Sequence, residues 1–271
     1  MDAPSAEPDG RIDLLDWIRF VPFTLATAAT FLGFEVLFRL SYPLGWRWFD
    51  RVNSAFHTTL AGCLRLPGVR LVIEDGLAEP PGRPLIFAAN HQSMFDVPLL
   101  AAALARYRPR FVAKRSLGRG IPTISFGLRR GRSALIDRAN PGQSTRAILQ
   151  LGRFMVGRGC GVIVFPEGRR ARDGGLQAFQ SAGVAALLKT APDARVVPVA
   201  IDGSWRLARR GLGPIRRGTT VRLAVGAPLD PRRVRTPEGL TEEARGVIAG
   251  ALERWRVGTA PHDAAARSAG R

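Results

Sequence analysis

Apolar residues fall into two regimes along this chain. From Trp17 to Leu40 they run almost unbroken (WIRFVPFTLATAATFLGFEVLFRL), interrupted only by Arg19, Glu35 and Arg39. The uncharged part, Phe20 to Phe34, falls short of the roughly 20 residues that a helix needs to span a bilayer. A simple span is therefore not the first expectation. The next stretch sets Trp46, Trp48 and Phe49 among Arg47, Asp50 and Arg51, a mixture suited to helices lying at a membrane interface. Residues 11–65 are expected to form two helices that dip into or lie on one leaflet. A pair of core helices covering a sheet, or a true single span, are the alternatives this pattern leaves open.

Beyond Pro67 the apolar residues come in short runs. VRLVIE (69–74), PLIFAAN (84–90), RFVAK (110–114), ALID (134–137), GVIVF (161–165), RVVPVAI (195–201) and TVRLAV (220–225) read as strands, bounded by Gly, Pro and charge. Helical patterns fill 94–106, 117–128, 142–157 and 177–190, and a last amphipathic helix covers 237–256. Alternation of this kind predicts an α/β fold, a central and mostly buried β-sheet flanked by helices. The expected organisation is a membrane-associated helical segment (1–65), a catalytic domain (66–230), and a C-terminal helix with a disordered tail from 257 (231–271). No internal repeat or heptad run is visible.

The length, 271 residues, suits one sizeable α/β domain with an appendage. The net charge of +18 favours anionic partners: nucleic acid, an anionic membrane surface, or phosphorylated substrates. The arginine-rich segments lack any helix-turn-helix, RNP-type strand or zinc spacing, which argues against nucleic acid. Cys63 and Cys160 suggest neither a metal site nor a disulfide framework, so a reducing compartment is expected. The first sixteen residues carry five carboxylates and one arginine, the reverse of a secretory signal's basic start, and the N-terminus is expected to be retained.

Three segments could carry chemistry. NHQSMFD (90–96) directly follows the PLIFAA strand, so His91 lies at a strand's carboxyl end, where α/β folds commonly place active sites. Five residues on one continuous helix turn through about 500°, which would point His91 and Asp96 to different faces. The two can meet only if His91 lies in the turn and Asp96 in the first helical turn, with Ser93 as N-cap. The same Ser93-to-Asp96 spacing is also a capping-box variant that needs no catalysis. In GVIVFPEGRRARDGG (161–175), Pro166 ends a strand and a turn projects Glu167, Arg169 and Arg170 from the sheet edge. Gly168 there allows a backbone to approach a ligand closely, and the arginines offer forks for phosphate oxygens. A solvated basic turn is the plain alternative. Between Arg106 and Arg138 there are ten Lys and Arg against Asp137 alone, interleaved with apolar residues, which suits a lipid with an anionic head.

H-x4-D in NHQSMFD, the IDR of 136–138, FPEG-x-R at 165–170 and VPVAI at 197–201 stand in the order and spacing of the four blocks of the glycerolipid acyltransferases. The chain resembles that family, its bacterial 1-acyl-glycerol-3-phosphate branch in particular, over roughly residues 69 to 225. The resemblance implies an O-acyltransferase in which His91 is the general base and Asp96 orients the imidazole and stabilises its cation. Glu167, Gly168 and Arg170 would shape the acceptor site, Lys114, Arg138 and Arg170 would hold its phosphate, and Val197-Pro198-Val199 would support the acyl pocket. No cofactor or metal is implied. The co-substrate is acyl-CoA or acyl carrier protein, the acceptor a lysophospholipid, and the location a bacterial cytoplasmic membrane with the catalytic domain facing the cytoplasm.

Two positions depart from the family pattern. Arg169 replaces the small hydroxyl residue of FPEGTR, which strengthens anion binding or marks a different head group. FQSAG at Phe179 to Gly183 lacks the lysine of F-K-x-G. Other acceptors on the same fold (glycerol 3-phosphate, a lyso-phospholipid, a lyso-ornithine lipid) and a non-enzymatic binder of anionic membranes or nucleic acid remain as rival readings.

Overall fold

The computed structural model describes residues 12–209, 211, 213–234 and 236–257. The expectations for the extreme N-terminus and for the tail beyond 257 lie outside them. Helix α1 (Leu14–Ser41) opens on a capping box in which Asp13 and Asp16 each accept the other's backbone N–H, at 2.9 and 3.2 Å. It turns through residues 42–45 into α2 (Trp46–Cys63). Buried side chains recur every seven residues on both helices, at Asp16, Phe23 and Thr30 and at Phe49, Phe56 and Cys63. This narrow seam was invisible in the sequence because apolar residues occupy every other face of α1 as well. Phe38, packed at a tilt on Phe49 and edge-on against Phe56, locks the two helices as a hairpin.

Seven strands form one sheet in the order β1-β7-β6-β2-β5-β3-β4. They are β1 (Arg70–Asp75), β2 (Leu85–Ala89), β3 (Arg110–Lys114), β4 (Ala134–Ile136), β5 (Gly161–Val164), β6 (Arg195–Asp202) and β7 (Thr220–Val225). Every pairing is parallel except β6 with β7. The carboxyl ends of β2 to β6 therefore share one edge.

The central strands are buried on both faces, which is why they read as continuous apolar runs. Side chains alternate along β2: Leu85, Phe87 and Ala89 join one core cluster, Ile86 and Ala88 another. On the first face lie α3 (Asp96–Ala103) and the inner side of the helix hairpin, through Leu99, Leu100, Phe23 and Cys63. The second face carries α5 (Pro141–Arg158) and α6 (Ala182–Thr190), through Leu151, Met155 and Leu187. Helix α7 (Pro237–Val257) packs onto this side too, with Leu240 and Ala244, and its last turns bury Ile248, Leu252 and Trp255 against β6.

Two helical expectations need correction. The stretch 117–128 is not one helix, because Gly120 at a φ of 77° and Pro122 break it into a short 3-10 turn and α4 (Ile124–Arg130). The stretch 177–190 is helical only from Ala182, since residues 176–180 run back across the sheet edge and the Gln180 N–H bonds the Pro166 carbonyl at 2.9 Å.

Helix α1 is also longer than its uncharged core suggested. Its 28 residues extend about 42 Å at 1.5 Å per residue, and by length and composition alone it could cross a membrane. It is nevertheless tied along its length to the rest of the fold. The Arg217 N–H bonds Asp16 at 3.0 Å, Phe23 stacks near Phe95, the Thr123 hydroxyl bonds the Phe31 carbonyl at 2.7 Å, and the Thr123 N–H bonds Glu35. The outward side stays apolar, with Leu14, Ile18, Val21, Leu25, Leu32, Val36 and Leu40 all exposed.

Candidate active site

Strand β2 ends at Ala89, and the chain then enters a tight turn held almost wholly by side chains. Asn90 is fully buried, and its amide donates to the Ile201 carbonyl and accepts from the Ile201 N–H, both at 2.8 Å. The side chain thus stands in for a peptide group and continues the β2–β6 ladder one step past the strand. His91 follows, and Asp96 begins α3.

The two meet as the turn geometry requires. The His91 Nδ1–H donates to Asp96 Oδ2 at 2.7 Å. A proton fixed on Nδ1 leaves Nε2 with a free lone pair, the arrangement of a general base. The ring lies flat on Phe165, 4.0 Å between centroids, and its side chain keeps 13% of its accessible surface. The apolar stack restricts the ring's tilt while leaving an approach to Nε2.

Asp96 is fully buried. Its Oδ2 also accepts the Gln92 and Ser93 N–H groups, at 2.6 and 2.8 Å, and Oδ1 accepts the Ser204 and Ser93 hydroxyls. The capping alternative is thus half realised by the same atoms. The carboxylate closes back on the Ser93 N–H, but the Ser93 hydroxyl takes the Phe95 N–H at 3.2 Å, and Phe95 holds the N-cap position expected for Ser93. One side chain both builds the turn and orients the imidazole.

The neighbouring strand β5 supplies the second half of the site. Glu167 does not project from the edge as its position in a turn suggested. It is 3% exposed, and Oε1 accepts the His91 N–H at 3.1 Å. Burial pushes its pKa up from the ordinary 4.5 to about 7, against the lowering pull of the His91 N–H and with Asp96 and Asp173 adding to the rise. Its Oε2 is buried without a partner, so ionisation is poorly compensated. The Ala171 N–H bonds the His91 carbonyl at 2.7 Å, which grips both peptide groups of His91 from the β5 turn. Gly168 takes a φ of 69°, which other residues adopt only with strain.

Arg169 and Arg170 are exposed on this turn. The Arg169 Nε is held by Gln177 at 2.6 Å. Lys114 and Arg138 lie at the same sheet edge, at the ends of β3 and β4. With strands about 4.8 Å apart, β3 and β4 stand roughly 10 and 14 Å from β2. The structure thus gathers His91, Asp96, Glu167 and Gly168 into one unit, with Arg170 on its rim and Lys114 and Arg138 further along.

Several members of this unit carry no signal in the local sequence. Gln92 reaches the Gly174 carbonyl at 3.3 Å and Asp202 at 3.2 Å, and Ser204 reaches Asp96 from 108 positions away. Phe165 was read as the end of a strand and the start of FPEG-x-R, not as the ring against which His91 stacks. No group of three or more His, Cys, Asp or Glu among the described residues could hold a metal ion.

An imidazole oriented by a buried carboxylate at the carboxyl edge of the parallel strands, beside exposed arginines, is the arrangement of an α/β enzyme that moves a proton next to an anionic group. The chain belongs to the acyltransferase family, whose model matches residues 69–202. Across 90% of its length it is 27% identical to a chloroplastic 1-acyl-sn-glycerol-3-phosphate acyltransferase of Brassica napus, covering 70% of that protein. A chloroplastic enzyme of the same name from Arabidopsis thaliana is 26% identical over 92% of the chain and 68% of its own length. The crystal structure of the 1-acyl-sn-glycerophosphate acyltransferase of Thermotoga maritima superposes with a TM-score of 0.74 at 25% identity, covering 90% of this chain and 97% of that one.

Proposed function

We propose that this enzyme moves a fatty acyl group from acyl-CoA or acyl carrier protein to the free hydroxyl of 1-acyl-glycerol 3-phosphate, giving phosphatidate. The observation that carries the reading is the 2.7 Å contact between His91 Nδ1 and Asp96 Oδ2, which leaves Nε2 as the base. Nε2 takes the hydroxyl proton while the oxygen attacks the thioester carbonyl, and Asp96 stabilises the imidazolium formed. When the carbon–sulfur bond breaks, the imidazolium returns the proton to the departing thiolate. The new ester and a free thiol are the products, with no acyl-enzyme and no cofactor. Arg170, with Lys114 and Arg138, receives the acceptor's phosphate. The names carried by the relatives support this acceptor.

The reading also places the enzyme on a membrane. The outward side of α1 is apolar for its whole length, too large a patch to face water. The hairpin rests in one leaflet of a bacterial cytoplasmic membrane, beneath a catalytic domain on the cytoplasmic side, and the acceptor reaches His91 from the lipid.

Purified enzyme in detergent, given one labelled acyl donor and a panel of acceptors, tests the proposal. Acylation of lysophosphatidate well above lysophosphatidylcholine, glycerol 3-phosphate and lyso-ornithine lipid is expected. Equal rates on lysophosphatidate and lysophosphatidylcholine would remove phosphate recognition from the account.

A further inference from the structure

Away from His91, beside the edge strand β4, two cavities of about 450 and 690 Å³ share Arg129 and Arg132. The first also touches Arg39 and Phe126, and the second has an apolar wall that includes Trp46 and Phe154. Together they form a trough with arginines on its rim and aromatic and aliphatic side chains on its floor.

Three observations bear on what it holds. First, the seven Lys and Arg between residues 114 and 138 face a single carboxylate in that segment, Asp137. Among the described residues none of the seven forms an ion pair, although arginines elsewhere in the fold do so repeatedly. Second, α4 ends in a 6→1 bond from the Ser133 N–H to the Leu128 carbonyl at 3.0 Å, with Arg132 at the left-handed position, φ 62°. Glycine is the usual occupant of that position, and an arginine there is kept against its backbone preference. Third, the trough begins at Arg39 and Tyr42, where the outward side of α1 presents Val36, Leu37 and Leu40.

A cationic rim above an apolar floor that continues the lipid-facing helix matches an anionic amphiphile. We propose that the trough is a second lipid site. It holds the phosphate of an anionic diacyl phospholipid of the bilayer between Arg129 and Arg132, and lays an acyl chain along Trp46 and Phe154. The inference rests on the reading of α1 and α2 as membrane-facing. The site is distinct from the acceptor's in its residues: neither cavity is lined by His91, Lys114, Arg138 or Arg170, and the second borders β4, three strands and roughly 14 Å from the His91 strand β2.

The test uses the purified full chain in phosphatidylcholine vesicles with diazirine-tagged phosphatidylglycerol or diazirine-tagged phosphatidylcholine. The phosphatidylglycerol probe should attach within residues 126–154 and be displaced by unlabelled phosphatidylglycerol, but not by lysophosphatidate at levels that saturate turnover. Arg129→Ala and Arg132→Gly should each weaken this labelling about fivefold, the usual effect of one basic residue at an anionic surface. Turnover in neutral detergent should not change, and Arg132→Gly should hold or raise Tm because glycine suits the left-handed position.

Equal labelling by both probes, or unchanged labelling in both variants, would overturn the site. So would loss of Tm and turnover together with labelling in Arg132→Gly, which would mark a structural role. Displacement by lysophosphatidate with a matching loss of turnover would make the trough the acceptor's own site. A protein that turns over lysophosphatidate in detergent yet takes label from neither probe would overturn the membrane placement and the lipid site, while leaving the proposed reaction intact.

Discussion

The turns that leave β2 and β5 lie side by side at one sheet edge and are built in opposite ways. After β2, the side chains of Asn90, Gln92, Ser93 and Asp96 all find partners, and four of Asp96's contacts converge from within seven residues. After β5, Glu167 is buried with one oxygen unmatched, Gly168 takes a left-handed backbone, and two arginines stand at the surface. The first turn is a fixed frame around the His91 ring. The second is a less satisfied region whose groups can change partner when an anion arrives. On the proposed mechanism the base stands on the former and the anion-binding groups on the latter, so that Nε2 keeps its register whatever acceptor is bound.

Removing the frame's two functional side chains should have the largest effects. His91→Ala should lower turnover by about 10²–10⁴-fold, the contribution of a general base, and lower unfolding free energy by roughly 1–3 kcal/mol, because the buried Asp96 loses a partner. Asp96→Asn should lose most activity and also roughly 2–4 kcal/mol of stability, because an amide cannot accept from the Gln92 and Ser93 N–H groups and from His91 at once. Turnover and urea denaturation measured on the same preparations check both. A stable but inactive Asp96→Asn would show that the turn does not depend on the carboxylate. A near-native His91→Ala would dismiss the base.

Glu167→Gln should act through pH. Glu167 holds its proton to higher pH in the folded chain than in the unfolded chain. Its contribution to stability is complete below about 4.5 and is lost as pH rises through about 7. Wild-type stability should therefore carry a decline across that window which the glutamine variant lacks, and the variant should be at least as stable as wild type at pH 8. Denaturation at pH 5 and pH 8 decides, and equal slopes in the two proteins would return Glu167 to an ordinary carboxylate.

The smallest effects belong to the rim. Arg170→Ala should raise KM for lysophosphatidate by roughly 10- to 100-fold with little change for the acyl donor. Arg169→Thr should change it less than about fivefold, because the Arg169 Nε is already held by Gln177. If Arg169→Thr proved the costlier change, the two arginines would have to exchange roles.

All seven strands were legible because a sheet buried on both faces leaves short apolar runs that chain punctuation delimits. The edge strand β1, exposed along its whole length, was found by the same rule for its β-branched residues rather than its burial. Helices were less legible wherever the apolar period continued through a backbone that could not, as at Gly120 and Pro122. In the site, His91 and Asp96 could be paired from spacing because they sit in one turn. Glu167's inward rotation could not be read, since the same residues serve a turn that points either way, and Ser204 reaches Asp96 only through the order of the sheet.

The two ends of α1 bear on how the molecule comes into being. Beyond α2 its contacts include Phe95, Thr123 and Arg217, and the last of these is synthesised some 176 residues after the helix ends at Ser41. At about 5–20 residues per second, that interval lasts on the order of 10–35 s. Until then α1 has only α2, and later Phe95 and Thr123, to rest on, and on the membrane reading the bilayer is the apolar phase that receives its outward side. The sheet then closes over a hairpin already seated in lipid, and the order of synthesis itself sets which side of α1 faces the domain last.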